Sequence, residues 1–383
     1  MGTPWVDHPS WSLVDEASEA IGRDVAHLLL DAEAGELTST ANAQVATYVL
    51  SLVVLDAVGR TGVEPVACAG HSLGEYTALT AAGALPFATG VRLVRARGDA
   101  MQTAADARPG AMAAVIGLDD DTAATACEHV GGDVWVANLN APGQVVLSGA
   151  PQAVKAAGEA ARALGARRVL PIPVGGAFHT PYMAPAIDEL RRALVEAGIG
   201  RPAVPVVANV DAETHLGDHE WAELLQAQLC SPVRWRHTLQ RLADDGVTTF
   251  VEVGPGTVLT GLTKRTLANA GTVSVAAPED VERLAEVVPP APPPAPSHPP
   301  VSPEGEHLHM AERLVVSPAA GVFSPAERWR EHLTGTRVEV GDVLGTVGDE
   351  EVRSRFSGVI MGIIAHDGEQ LLRSQPVAWL RTA

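Results

Sequence analysis

The chain has 383 residues, a formal net charge of −19, 46% hydrophobic residues and only 4% aromatic ones. That length allows two or more domains, and the acidic balance argues against a general nucleic-acid binder, whose surface must replace counterions on phosphate. No uninterrupted apolar run approaches the roughly 20 residues of a membrane span, and the N-terminus has no signal-peptide pattern, so a cytoplasmic protein without a membrane partner is expected.

Cys68, Cys127 and Cys230 are odd in number and widely spaced, which predicts reduced thiols and neither a disulfide framework nor a metal site. Residues 1–60 read as helical, with apolar residues at three-and-four spacing over 12–30 and 42–58 around a polar loop at 35–40. A short strand-type run at 66–69 follows, then helix formers over 75–82. Between these two, Gly70-His71-Ser72-Leu73-Gly74 fits the Gly-x-Ser-x-Gly elbow, a sharp strand-to-helix turn in which glycines on either side of the serine relieve bulk. Such a turn leaves the Ser72 hydroxyl bare. It also points the Leu73 N–H and the helix N-terminus at any negative charge developing on an attacked carbonyl. An ordinary strand-helix turn is the alternative reading of these five residues.

Residues 87–102 predict another helix, bearing Arg92, Arg95 and Arg97. From 109 to 174 strands and helices alternate in the order βαββαβ: strand 111–116, helix 119–129, strands 134–138 and 144–149, helix 151–164, strand 167–172. Pro142-Gly143 reads as the turn joining the middle pair, with Asn140 capping it or lining a cleft. A glycine-rich entry, Gly175-Gly176-Ala177-Phe178-His179, then places a histidine just before a helix at 185–198. By itself such a histidine is either structural or catalytic. Beyond it come a strand at 204–209, helices at 221–229 and 233–245, a strand at 248–253 and a helix after Gly256. Nine prolines from Pro289 to Pro303 mark a linker that favours polyproline II. Short strands with Gly turns over 312–383 suggest a compact β barrel or sandwich.

Gly70 to Leu79 (Gly-His-Ser-Leu-Gly-Glu-Tyr-Thr-Ala-Leu) resembles the active-site segment of malonyl-CoA:acyl carrier protein transacylases and the related acyltransferase domains of polyketide synthases. The stretches at 94–98, 138–149, 175–183, 226–235 and 252–259 resemble the same family, and together the matches cover roughly residues 1–275. The resemblance implies an α/β class: a hydrolase-like parallel-sheet domain (1–108 and 175–280) with an inserted ferredoxin-like subdomain (109–174). It implies Ser72 as nucleophile, His179 as general base, Leu73 N–H in the oxyanion hole and Arg97 as the fork that holds a substrate carboxylate. A guanidinium suits that task, since it stays charged and pairs bidentately. His71, Phe178, Asn140 and Gln228 take specificity and support roles. Phe178 stands where an aromatic residue narrows the pocket toward malonyl, and the Gln228 backbone carbonyl stands where the imidazole is oriented. Ser231 stands where an asparagine is common. The implied partners are malonyl-CoA and an acyl carrier protein, with no cofactor.

Members of that family open with a strand and a Gly-Gln-Gly-Ser-Gln loop, and this chain begins at the methionine that would follow. The expectation is a start placed too far downstream. Residues 281–311 are expected to be linker. The segment 312–383 resembles a biotinyl/lipoyl carrier domain but contains no lysine, so amide attachment of biotin or lipoate is excluded and an assembly or docking module remains. Two rival functions share the elbow or the fold: a serine thioesterase or hydrolase, which expects an acidic third member of its triad, and a non-catalytic scaffold that binds a carrier protein. Arg162, Arg167, Arg168, Arg234 and Arg236 are candidates to meet an acidic partner, with simple solvation the alternative reading.

Overall fold

The helical start forms because apolar side chains recur on one face, but it breaks more often than its periodicity predicts. In the computed structural model, which describes residues 1–288, 312–326, 335–371, 373 and 375–381, the first predicted helix is two: α1 (Ser12–Ile21) and α2 (Val25–Leu30). Gly22 closes α1 in the left-handed region at φ 62°, and the Asp24 carboxylate starts α2 by accepting from the His27 N–H. The expected polar loop contains a short helix, α3 (Ala34–Thr38). After it, α4 (Thr40–Gly59) is by length and mean composition apolar enough to cross a membrane, but Asn42, Gln44 and Asp56 interrupt its apolar run and 72% of that window is buried. It is apolar on all sides because it is the central core helix.

The chain then runs through β1 (Cys68–Ala69), α5 (Gly74–Ala81) and α6 (Phe87–Ala107), which packs along α4. A separate antiparallel layer follows: β2 (Ala111–Ile116), α7 (Asp120–Val130), β3 (Val134–Ala141), β4 (Gln144–Gly149), α8 (Pro151–Ala163) and β5 (Arg168–Ile172), with strand order β3-β4-β2-β5. Gly143, at φ 70°, makes the β3–β4 turn. This layer has its own core around Val115, Val145, Leu147 and Ala157. The return to the larger layer passes through a 3-10 turn (Pro181–Ala186) into α9 (Ile187–Ala197).

Next come β6 (Val206–Val207), β7 (Thr214–His215), α10 (Trp221–Cys230), α11 (Trp235–Asp244), β8 (Thr249–Val253), α12 (Val258–Thr266), β9 (Gly271–Val275) and α13 (Pro278–Val287). β1 is parallel to β6, and β8 to β9, in two small separate sheets. Both strands of the first parallel pair are shorter than the sequence suggests. β6 stops at Val207 because the next N–H groups are taken elsewhere: Ala208 donates to the Glu213 carbonyl and Asn209 to the Glu75 carboxylate. The two layers join where Val233 pairs with the β3 backbone, through Val233 N–H to Ala137 O and Leu139 N–H to Val233 O. Helix α13 occupies residues expected to begin the linker at 281; the proline-rich stretch itself lies outside the described residues.

The described chain divides into two compact units, one within residues 1–293 and one within 294–383. The second is strand-rich: β10 (Glu312–Val316), β11 (Gly321–Pro325), β12 (Arg337–Val338), β13 (Val343–Val347), β14 (Glu350–Arg353), β15 (Gly358–Ile363), β16 (Gln370–Leu371) and β17 (Pro376–Arg381). They form two four-stranded sheets, β10-β17-β15-β12 and β14-β13-β11-β16, over a shared apolar core that includes Phe323, Leu344, Ile360 and Leu380. Gly348 and Asp349, both exposed, form the β13–β14 turn.

Candidate active site

β1 delivers the chain to a turn too tight for ordinary backbone. Ser72 sits at φ 51°, in the left-handed region that a non-glycine residue enters only under constraint. A Cβ on Gly70 would lie 1.8 Å from the Gly74 carbonyl oxygen, so glycine is obligatory there; a Cβ on Gly74 would meet nothing within 4 Å. Only one of the two elbow glycines therefore relieves a clash. The turn is held by Asn209, whose Oδ1 accepts from the Ser72 N–H (2.7 Å) while its Nδ2 donates to Gly70 O (2.8 Å). Leu73 N–H lies among the first N–H groups of α5, which a helix leaves without internal partners.

The second constrained residue is His179, at φ 60°. Its Nδ1 lies 2.9 Å from the Gln228 carbonyl. A carbonyl can only accept, so Nδ1 carries the proton and Nε2 is left as an acceptor, 2.8 Å from Ser72 Oγ. The Ser72 hydroxyl thus donates to a neutral imidazole. Burial, with the nearby Arg97 charge second, pushes the His179 pKa down to about 3, so the ring is neutral across the physiological range. No carboxylate touches His179 among the described residues, which separates this site from the triad a hydrolase would use.

Arg97 projects from α6 and is 1% exposed. Its Nη1 donates to Gln44 Oε1 (2.5 Å), and its Nη2 to Gln228 Oε1 (2.9 Å) and Ser72 Oγ (3.2 Å). The Nε–H has no partner. The guanidinium lies over the Tyr76 ring, 5.2 Å from its centroid. Burial lowers its pKa, yet so basic a group remains charged.

Gln228 is more than an orienting carbonyl. Its side-chain Nε2 donates to the Ser72 carbonyl (2.9 Å) and to Glu75 Oε2. Glu75, 1% exposed, also accepts from the Asn209 N–H at 3.1 Å. Burial raises its pKa to about 7, against the lowering effect of those donors and of Arg97.

Of the residues singled out from the sequence, Ser72, Leu73, Arg97, His179 and Gln228 converge on this point. His71 and Asn140 meet beside it: His71 Nε2 lies 2.9 Å from Asn140 Oδ1, linking the elbow to β3, and the His71 ring meets the edge of Trp235. Asn140 is thus engaged with the elbow rather than with its own turn. Phe178 is half-buried between the cores of the two layers, its ring so close to Gly176 that a Cβ there would fall 2.5 Å from it. Glu75, Asn209 and Gln44 were not anticipated. Glu75 was visible as the residue after the elbow, but nothing in its spacing reveals burial.

Residues 6–286 match the model of the acyl transferase domain family. The chain is 42% identical over 273 residues to the malonyl CoA-acyl carrier protein transacylase of Bacillus subtilis, covering 70% of this chain and 86% of that one. It is 45% identical over 253 residues to the protein of the same name from Escherichia coli K12, covering 65% and 82%. Among solved structures, an acyl carrier protein S-malonyltransferase from Vibrio cholerae superposes with a TM-score of 0.71 at 38% identity, covering 74% of this chain and 94% of that one. A malonyl-transacylase in complex with its type II PKS acyl-carrier protein superposes with a TM-score of 0.72 at 37% identity, covering 75% and 94%.

Proposed function

The chain belongs to the acyl transferase domain family, and from that premise we propose how it transfers a malonyl group from malonyl-CoA to the phosphopantetheine thiol of an acyl carrier protein, as an acyl-carrier-protein S-malonyltransferase. His179 Nε2 takes the proton of Ser72 as Oγ attacks the thioester carbonyl. The oxyanion forms against the Leu73 N–H at the α5 N-terminus. Collapse of the tetrahedral intermediate breaks the C–S bond, and His179 returns its proton to the departing CoA sulfur. The carrier thiol then attacks the malonyl-Ser72 ester, giving its proton to His179, and Ser72 leaves with that proton.

The observation that carries this reading is that one hydroxyl oxygen meets both the base, at 2.8 Å, and the Arg97 guanidinium, at 3.2 Å. A malonyl ester on Ser72 has its free carboxylate only two carbons from the ester oxygen, within reach of that guanidinium. The unpartnered Nε–H of Arg97 is a donor left for one carboxylate oxygen, and a buried donor without a partner costs about 1–3 kcal/mol. The malonyl carboxylate also offsets the Arg97 charge that helps hold His179 down, so the right substrate strengthens the base. Acetyl-CoA, lacking a carboxylate, does neither.

We read the antiparallel layer over 109–174 as a ferredoxin-like subdomain inserted into a hydrolase-like domain. Phe178, at the junction of the two cores, narrows the acyl pocket. Of the arginines considered for an acidic partner, Arg236 is already paired with Asp120, whereas Arg167 and Arg168 line a cleft of about 450 Å³ with Arg265. That cleft is the more suitable face for an acidic carrier. The three free cysteines fit a cytoplasmic setting. No step above calls on a cofactor, and the lysine-free strand-rich unit is read as an assembly module. The test is to supply malonyl-CoA and holo acyl carrier protein and weigh the carrier: malonylated carrier is expected, and release of free malonate with no carrier product would favour a hydrolase instead.

A further inference from the structure

The donors and acceptors around Gln228 leave its amide one orientation. Oε1 accepts from Arg97, while Nε2 donates to the Ser72 carbonyl and to Glu75. Turned over, the amide would set its oxygen against a carbonyl and a carboxylate, and its NH2 against a guanidinium. Glu75 in turn meets donors on both oxygens, the Asn209 N–H on one and the Gln228 amide on the other. Both contacts ask for an acceptor, and an ionised carboxylate is the form that accepts on both sides.

These two partners serve opposite halves of the site. Asn209 holds the elbow, through the Ser72 N–H and the Gly70 carbonyl. Gln228 holds the base, through its own carbonyl on His179 Nδ1. We propose that Glu75 is a positioning residue for the transfer: its ionised carboxylate locks nucleophile and base in register, and protonating it loosens both. This rests on the roles given above to Ser72 and His179.

The charged and titratable groups facing Glu75 are few. Arg97 from α6 favours its ionised form, and Asp211 from the segment after β6 opposes it. Tyr76, beside it on α5, stays neutral with its hydroxyl pushed up to about 12. His179, across Gln228, is neutral. His71, which also acts on His179, is pushed below its ordinary value by burial. With Glu75 raised by burial to about 7 and His179 at about 3, the group of this set placed to change charge near neutrality is Glu75. Below that point the carboxyl is protonated and the lock is open; above it the carboxylate is formed and the lock is closed. The acylation rate therefore rises with pH through that region.

The experiment measures single-turnover acylation of the full chain by malonyl-CoA between about pH 5.5 and 8.5 in wild type, Glu75→Gln and Glu75→Asp, together with the NMR titration of the His179 Nδ1–H. Wild type is expected to show an inflection near neutrality in both rate and resonance. Glu75→Gln is expected to lose the inflection and run roughly 10- to 100-fold slower on the plateau, the scale of a small misplacement of reacting groups. Glu75→Asp, which keeps an acceptor-only group, restores an inflection. A folded Glu75→Gln that keeps the wild-type rate and inflection overturns the proposal. Should that variant fail to fold, wild type decides alone: a rate and resonance flat across the range overturn it, and a shared inflection supports it. If wild type forms no malonyl adduct at any pH, the transferase reading fails, while the resonance still decides whether Glu75 governs His179.

Discussion

The two units of this chain treat buried polarity in opposite ways. The first unit buries Glu75, Arg97, His179, Asn209 and Gln228 around one serine, with donors on both Glu75 oxygens and acceptors on both Arg97 Nη groups. In the strand-rich unit the buried polar residues among those described are Ser317 and Ser354, and each hydroxyl simply donates to the carbonyl two residues on. A buried ionisable group costs stability unless paired, so a chain retains one where chemistry needs it. The contrast separates a region organised for a reaction from one organised for packing.

Ser72→Ala tests that contrast with the largest effect. It removes the proposed nucleophile and is expected to cut malonyl transfer by roughly 10⁴-fold or more, measured by steady-state kinetics with malonyl-CoA, while the thermal unfolding of the strand-rich unit stays put. His179→Ala should cost about 10²- to 10⁴-fold in the same assay. Arg97→Ala should lower malonyl transfer by roughly 10²-fold, the scale of losing one partner of a buried charge pair, and leave acetyl transfer much less affected. Equal losses with both acyl groups would remove Arg97 from its assigned role.

The elbow glycines give a sharper, smaller test. Gly70→Ala forces a Cβ into the Gly74 carbonyl and is expected to reduce soluble, folded protein. Gly74→Ala meets open space and should change stability by no more than about 1 kcal/mol in denaturant titrations. Smallest in its effect on the reaction is Ile360→Ala. It opens the core of the strand-rich unit at a cost of about 2–5 kcal/mol to that unit's unfolding, with malonyl transfer unchanged. A large loss of transfer would break the separation between the two regions.

What could be read from the sequence divides along the same physical line. Side chains fixed by local pattern were legible: the elbow at Ser72, the βαββαβ order over 111–172, the strand-rich character of the tail, though not its β14 and β16. Their signals lie within a few residues. Arg97, His179 and Gln228 were reached only through resemblance, because an arginine in a helix and a lone histidine look the same in sequence whether solvated or catalytic. Glu75, Asn209 and Gln44 were missed for a related reason. Their roles depend on being buried against segments more than 50 residues away, and no local periodicity records that. The boundaries that slipped have similar causes: β6 ends where Glu75 takes a backbone N–H, and α1 ends at a left-handed glycine whose cap lies beyond the apolar pattern.

The most direct measurement is the intact mass of the protein after brief exposure to malonyl-CoA, followed by peptide mapping. The account predicts one malonyl group, on Ser72, which disappears in Ser72→Ala and is discharged when holo acyl carrier protein is added. An adduct on another residue, or carrier malonylation that proceeds unchanged in Ser72→Ala, would contradict it.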